Sequence, residues 1–258
     1  MLTACILLAV YLILTLVTPR ILSSRRLLIE HPALLIGLWL GALGLAALSL
    51  LSALGILIAR ALRHHITHVE GHDVAGPLVD SLLGWMSIAF IGLIAFRLGV
   101  AAHETRTKSR EISELLAPVI ASAEPVVVGD RTIWRVDSAQ PLAVALPQAR
   151  RVVITTAMLN RLAPTNLAAV VEHESSHLRH HHERVLTIGG LAEAVAPAFL
   201  AGSRLAQSCR IATELIADDD AVAACGIEAT ADALEAAYPA DPGVTERVRR
   251  LRTRLSTR

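Results

Sequence analysis

Charged side chains are sparse in the first hundred residues of this chain and dense afterwards. Leu2 to Thr18 is 17 residues without a charge, Ala33 to Ala59 is 27, and Ser81 to Phe96 is 16, continuing past Arg97 through Leu98 to Ala102. A helix needs about 20 apolar residues to cross a hydrocarbon core. The pattern therefore predicts three transmembrane helices over about residues 2–18, 33–59 and 78–102. In the second, Gly37 and Gly41 have the small-xxx-small spacing of a helix-packing face. The first run lacks a basic leader and a clear small-x-small cleavage site, so it reads as a span and not as a signal peptide.

Past residue 102 the pattern changes. Ile112 to Ser122 reads as a helix, and Val126–Val128, Thr132–Val136, Leu142–Leu146 and Arg151–Thr155 read as short strands. Gly129-Asp130 and Ser138–Pro141 mark turns between them. A long helix follows Ala163-Pro164, with Thr165 or Asn166 as its expected N-cap. A fourth apolar run, Val185 to Gly202, is interrupted by Gly189-Gly190, Glu193 and Pro197. In the tail, Val244, Val248, Leu251 and Leu255 share one helical face among six arginines between Arg247 and Arg258. Packing on the domain is the first reading of this basic C-terminal helix, and contact with the inner leaflet the alternative. The expectation is a mainly α chain. Residues 1–102 form a three-helix membrane region, and residues 103–258 an α+β domain with a small sheet.

Charge sets the orientation. Arg20, Arg25 and Arg26 in the first loop, with Arg97, Arg106, Lys108 and Arg110 after the third span, put seven basic residues on one side; Arg60 and Arg63 put two on the other. By the positive-inside rule the N-terminus is outside the cell membrane and residues 103–258 are cytoplasmic. Composition agrees with a lipid-embedded region: 53% of residues are hydrophobic and 18% charged, against about 25% charged in an average soluble protein. The net charge of +1 gives no footprint for direct nucleic-acid binding. Three cysteines make no disulfide framework.

The candidate chemistry lies in the long helix, which reads His173-Glu174-Ser175-Ser176-His177, an H-E-x-x-H motif. Histidines at i and i+4 stack on one helix face and can present ring nitrogens to a single Zn²⁺. Glu174 lies beside them, where it can take a proton from a water that the metal has made more acidic. A catalytic zinc needs a third protein ligand. Glu214, in Glu214-Leu215-Ile216-Ala217-Asp218, begins 37 residues after His177 and is the candidate, with Asp219 and Asp220 as competitors. Asp218, one turn on, can accept from the free ring N–H of His173 or His177. If Val185–Gly202 crossed the membrane once, Glu214 would be parted from His173; the run is therefore a core helix or a membrane excursion that returns.

Thr155 to Leu186, with Leu159-Asn160-Arg161-Leu162 and the H-E-x-x-H, resembles membrane-bound zinc metallopeptidases of the BlaR/MecR antirepressor type. It also resembles their relatives, the HtpX-type and CAAX-prenyl proteases. Ala143–Pro147 and Val152–Thr155 are similar to the strand pair beside the active cleft in those enzymes. The resemblance covers about residues 120–225. It implies a gluzincin-like fold, one Zn²⁺ per chain held by His173, His177 and Glu214, catalysis by Glu174, and a supporting role for Asp218. It implies an integral membrane metalloendopeptidase acting on protein or peptide substrates, a cytoplasmic transcriptional repressor among them. The penicillin-sensing domain and last membrane helix of the antirepressors have no counterpart, so β-lactam sensing is not expected. The other readings kept are a regulatory signal transducer that cleaves such a repressor and a non-catalytic membrane scaffold. His64, His65, His68 and His72 read as a solvated external loop; Asp219 and Asp220 as a solvated helix face; His180-His181-His182 carry no assigned role.

Overall fold

The computed structural model describes residues 1–66, 75–195, 202–239 and 242–255. The chain forms two compact units. One comprises Met1–Leu28, Leu34–Thr105 and Ile188–Ser208, the other Ile29–Ala33, Arg106–Thr187 and Cys209–Arg258.

The first unit is built from α1 (Leu2–Leu16), α2 (Thr18–Leu22), most of α3 (Arg25–Glu30), α4 (Pro32–Ile66) and the first part of α5 (Ala75–Ala121). Three helical stretches, Leu2–Leu22, Pro32–Arg63 and Gly76–Ala121, are long and apolar enough to cross a membrane. Their large side chains are left uncovered: Leu2 is 76% exposed, Trp85 67% and Phe96 69%. Apolar surface of this extent is unfavourable in water at about 25 cal/mol per Å² and is at home in lipid. The predicted packing face is corrected. A methyl added at Gly37 or Gly41 meets nothing within 4 Å, whereas one at Gly84 would overlap the Cβ of Ala61. The close approach of α4 and α5 is therefore at Gly84, where Arg60 also pairs with the buried Asp80 at 2.9 Å. α5 runs unbroken to Ala121, although the sequence suggested a separate helix from Ile112, because no Pro or Gly between His103 and Ala117 interrupts it. His68, His72 and Pro197 lie outside the described residues.

The second unit holds a four-stranded sheet: β1 (Glu124–Val128), β2 (Arg131–Val136), β3 (Ala143–Leu146) and β4 (Arg151–Thr155), in the order β1-β2-β4-β3. β1 pairs with β2 through a tight turn at Gly129, whose φ of +60° favours glycine. β2 and β4 are parallel, and β3 closes antiparallel on β4 as an edge strand. Next come α6 (Thr156–Arg161), α7 (Pro164–Arg179) and the start of α8 (His182–Val195), then α9 (Gly202–Cys225) from Cys209 on, α10 (Ile227–Ala237) and α11 (Pro242–Leu255); the rest of α8 and the first residues of α9 belong to the first unit. α7 starts one residue before the expected caps. Ala163 is the N-cap and Pro164 the first helical residue, where its fixed φ suits the helix and no N–H is missed. Ile133, Ile154, Met158, Val170 and Val171 join sheet, α6 and α7 into one core, which Ala233 and Ala237 of α10 complete. A second cluster, Leu234, Val244, Val248 and Leu251, seats α11 against α10. Three of its arginines pair with acidic groups of the same unit: Arg250 with Asp219, Arg252 with Glu235, Arg249 with Glu246. The basic helix thus packs on its own domain.

Candidate metal centre

α7 carries His173 and His177 one turn apart, and their Nε2 atoms lie 3.3 Å from each other. α9 brings Glu214 to the same point: Oε2 is 3.4 Å from His173 Nε2 and Oε1 3.6 Å from His177 Nε2. Among the described residues, these three form the group of side chains able to hold a metal ion. The spacing can be tested against zinc. Bonds of about 2.0–2.2 Å at tetrahedral angles put neighbouring ligand atoms about 3.3–3.5 Å apart. The His173–His177 distance of 3.3 Å and the His173–Glu214 Oε2 distance of 3.4 Å match this, and His177 meets the other carboxylate oxygen, Oε1, at 3.6 Å; two imidazoles with one carboxylate, leaving one position open, are the donor set of a catalytic zinc.

Behind the ligands is a buried electrostatic frame. Asp218, fully buried, sits one turn after Glu214, with Oδ1 3.1 Å from Nδ1 of His173. Arg247 of α11 grips Asp218 with two bonds, Nε to Oδ2 at 2.8 Å and Nη2 to Oδ1 at 2.5 Å, and reaches Glu214 Oε2 with Nη1 at 2.9 Å. Burial would raise both carboxyls. For Asp218 the Arg247 and His173 contacts hold it down at about 2; for Glu214 the contact with His173 and the charge of Arg247 do the same, also to about 2. Burial lowers His173, but Asp218 and Glu214 outweigh it and lift the imidazole to about 9. His177, buried and next to His173, falls to about 4.

Glu174 points to the other side of the pair. Its Oε2 accepts the N–H of Ala145, on the edge strand β3, at 2.8 Å; its Oε1 accepts the Tyr238 hydroxyl at 3.3 Å. Burial pushes this carboxyl up, against the pull of His173 and the Ala145 N–H. The phenol of Tyr238 is pushed up in turn by burial and by Glu174.

The structure brings His173, His177, Glu214 and Asp218 together, with Glu174 alongside. Asp219 and Asp220 are not at the centre, nor are they a solvated face. Asp219 is bound by Arg250 at 2.8 Å, and Asp220 accepts from Ser176 at 2.8 Å and Arg179 at 3.1 Å and meets His180 at 2.9 Å. Sequence reasoning missed Tyr238 and Arg247. The one available signal was Arg247 next to Val248 on the α11 face, among side chains that turn inward. No curated protein and no solved structure matches the chain. The model of Peptidase family M48 matches residues 107–239, a stretch that contains H-E-x-x-H, Glu214 and Asp218. With 133 of 258 residues matched, the chain belongs to Peptidase family M48 and is a metallopeptidase, a hydrolase of peptide bonds.

Proposed function

We propose that the chain is an integral membrane zinc metalloendopeptidase whose catalytic domain, residues 103–258, faces the cytoplasm, and whose residues 1–102 are a three-span membrane region with the N-terminus outside. The observation that carries the chemistry is the ligand triangle of His173, His177 and Glu214 with Glu174 beside it. The charge bias of seven basic residues against two carries the orientation. A cytoplasmic repressor is the substrate that the resemblance to antirepressors implies.

Zinc bound by the three side chains would polarise the scissile carbonyl and acidify the attacking water. Glu174 takes the proton from that water and delivers it to the leaving amine. Its raised pKa suits it to hold the proton between these steps. The Ala145 N–H and the Tyr238 hydroxyl fix the carboxylate rotamer, so the base is in place before substrate arrives. Asp218 orients His173, and Arg247 neutralises the carboxylates that the centre concentrates.

Glu174→Gln in the full chain should keep one metal ion and lose proteolysis of an unfolded fluorescent protein substrate by orders of magnitude. Retained proteolysis would sink the assignment of the base. A reporter fused after Arg258 should read cytoplasmic and one inserted near Gly76 external; the opposite pattern would reverse the orientation.

A further inference from the structure

α7 ends at Arg179, and His181 adopts a left-handed φ of +52°. This breaks the helix for two residues and makes His182 the first residue of α8. The break brings the His182 ring against His177 in the last turn of α7. His182 is 2% exposed, and its Nδ1 lies 2.9 Å from Nδ1 of His177. The rings meet edge to face, with centroids 4.8 Å apart. Among the described residues its Nε2 is buried without a hydrogen-bond partner. A leucine would fill such a site without burying an unpaired nitrogen, so packing does not account for an imidazole. What the imidazole adds is a polar atom at Nδ1.

Two facing ring nitrogens at 2.9 Å share one proton, which can sit on either ring. If it sits on His182, neutral His177 carries its own proton on Nε2, the atom that faces His173 and Glu214, and its lone pair is unusable there. If it sits on His177, Nε2 of His177 is bare and aimed at the ligand triangle. We propose that His182 is a positioning residue of the metal centre: its Nδ1 accepts the Nδ1–H of His177 and so holds His177 in the tautomer and ring orientation that leave Nε2 free to ligate. Asp218 serves His173; His182 serves the other histidine, from a turn outside the H-E-x-x-H motif. This inference rests on the metal-centre reading given above.

The test is Co²⁺ affinity of the full chain in detergent, by chelator competition and visible absorption, with the melting temperature of the metal-free protein as the control for folding. In Asn the side-chain oxygen falls where Nδ1 sits in His; in Gln the amide falls nearer the position of Nε2. His182→Leu and His182→Gln should bind Co²⁺ roughly 10–100-fold more weakly, as losing an outer partner of a ligand typically does, and His182→Asn should restore the wild-type affinity and spectrum. If His182→Leu does not fold, the contrast between Asn and Gln carries the test. His182→Leu or His182→Gln binding as tightly as wild type, or His182→Asn binding as weakly as His182→Gln, would overturn the role of His182 alone. A wild-type chain that binds no Co²⁺ would overturn the metal-centre reading itself.

Discussion

Arg247→Met removes a guanidinium that faces the buried carboxylate of Asp218 and the half-exposed one of Glu214. Asp218 is fully buried and Arg247 only 13% exposed, so solvent cannot replace the lost partner. Asp218 is held at about 2 instead of its ordinary 3.8. By linkage a difference of that size is worth about 2–3 kcal/mol of folding stability, of which Arg247 supplies the larger part beside His173. Removing one partner of a buried pair costs about 3–5 kcal/mol, because the charge left behind stays desolvated. Both routes converge on about 3 kcal/mol, or a fall of roughly 6–12 °C in melting temperature for a chain of this size. The sign with pH follows from the lowered pKa. The contribution is fully present above the unfolded value of 3.8 and is lost as pH falls through about 2, so the deficit should be complete at pH 7 and shrink below pH 4. Arg247→Lys keeps the charge but not the fork and should fall between wild type and Arg247→Met. The assay is thermal unfolding of the metal-free full chain in detergent. An Arg247→Met chain that melts with wild type at pH 7, or whose deficit grows in acid, would refute the reasoning.

His173 in the metal-free centre keeps its proton up to about 9, whereas His177, at about 4, has none at neutral pH. A ligand must be deprotonated, so metal binding at pH 7 should release close to one proton, and the apparent affinity should rise about tenfold per pH unit between roughly 7 and 9. Calorimetry in buffers of different ionisation enthalpy reads this directly, and binding without proton release would contradict it. Tyr238→Phe removes a hydrogen bond to the proposed base. Bonds to charged groups are worth about 1.5–3 kcal/mol, so kcat should fall roughly 10–100-fold with metal content unchanged. An unaltered kcat would take Tyr238 out of the site.

The elements were legible where the pattern is local. Each strand ends within two residues of its predicted bounds, because β-branched runs between turn residues leave little choice of register. The apolar runs announce their helices because lipid requires length and uniformity. H-E-x-x-H is legible for the same reason: both histidines lie within one helical turn. What stayed hidden is non-local. Tyr238 meets Glu174 across 64 residues, and Arg247 meets Asp218 across 29. In the sequence Arg247 is one of six arginines in a basic tail, and only the apolar seating of Val244, Val248 and Leu251 selects it to turn inward. The Gly37–Gly41 pair misled because spacing identifies a smooth helix face but not which neighbour uses it; that role fell to Gly84. His182 was hidden by its neighbours. In a run of three histidines, only the left-handed backbone at His181 decides which ring returns to α7.

The central claim is that His173, His177 and Glu214 hold one metal ion between them. Elemental analysis of the purified full chain, side by side with Glu214→Ala, tests it most directly. The account predicts one zinc per chain in the wild type and loss of most of it in Glu214→Ala, since the two neutral imidazoles that remain leave its charge uncompensated. Wild-type protein without zinc, or a Glu214→Ala chain that keeps it, would contradict the account.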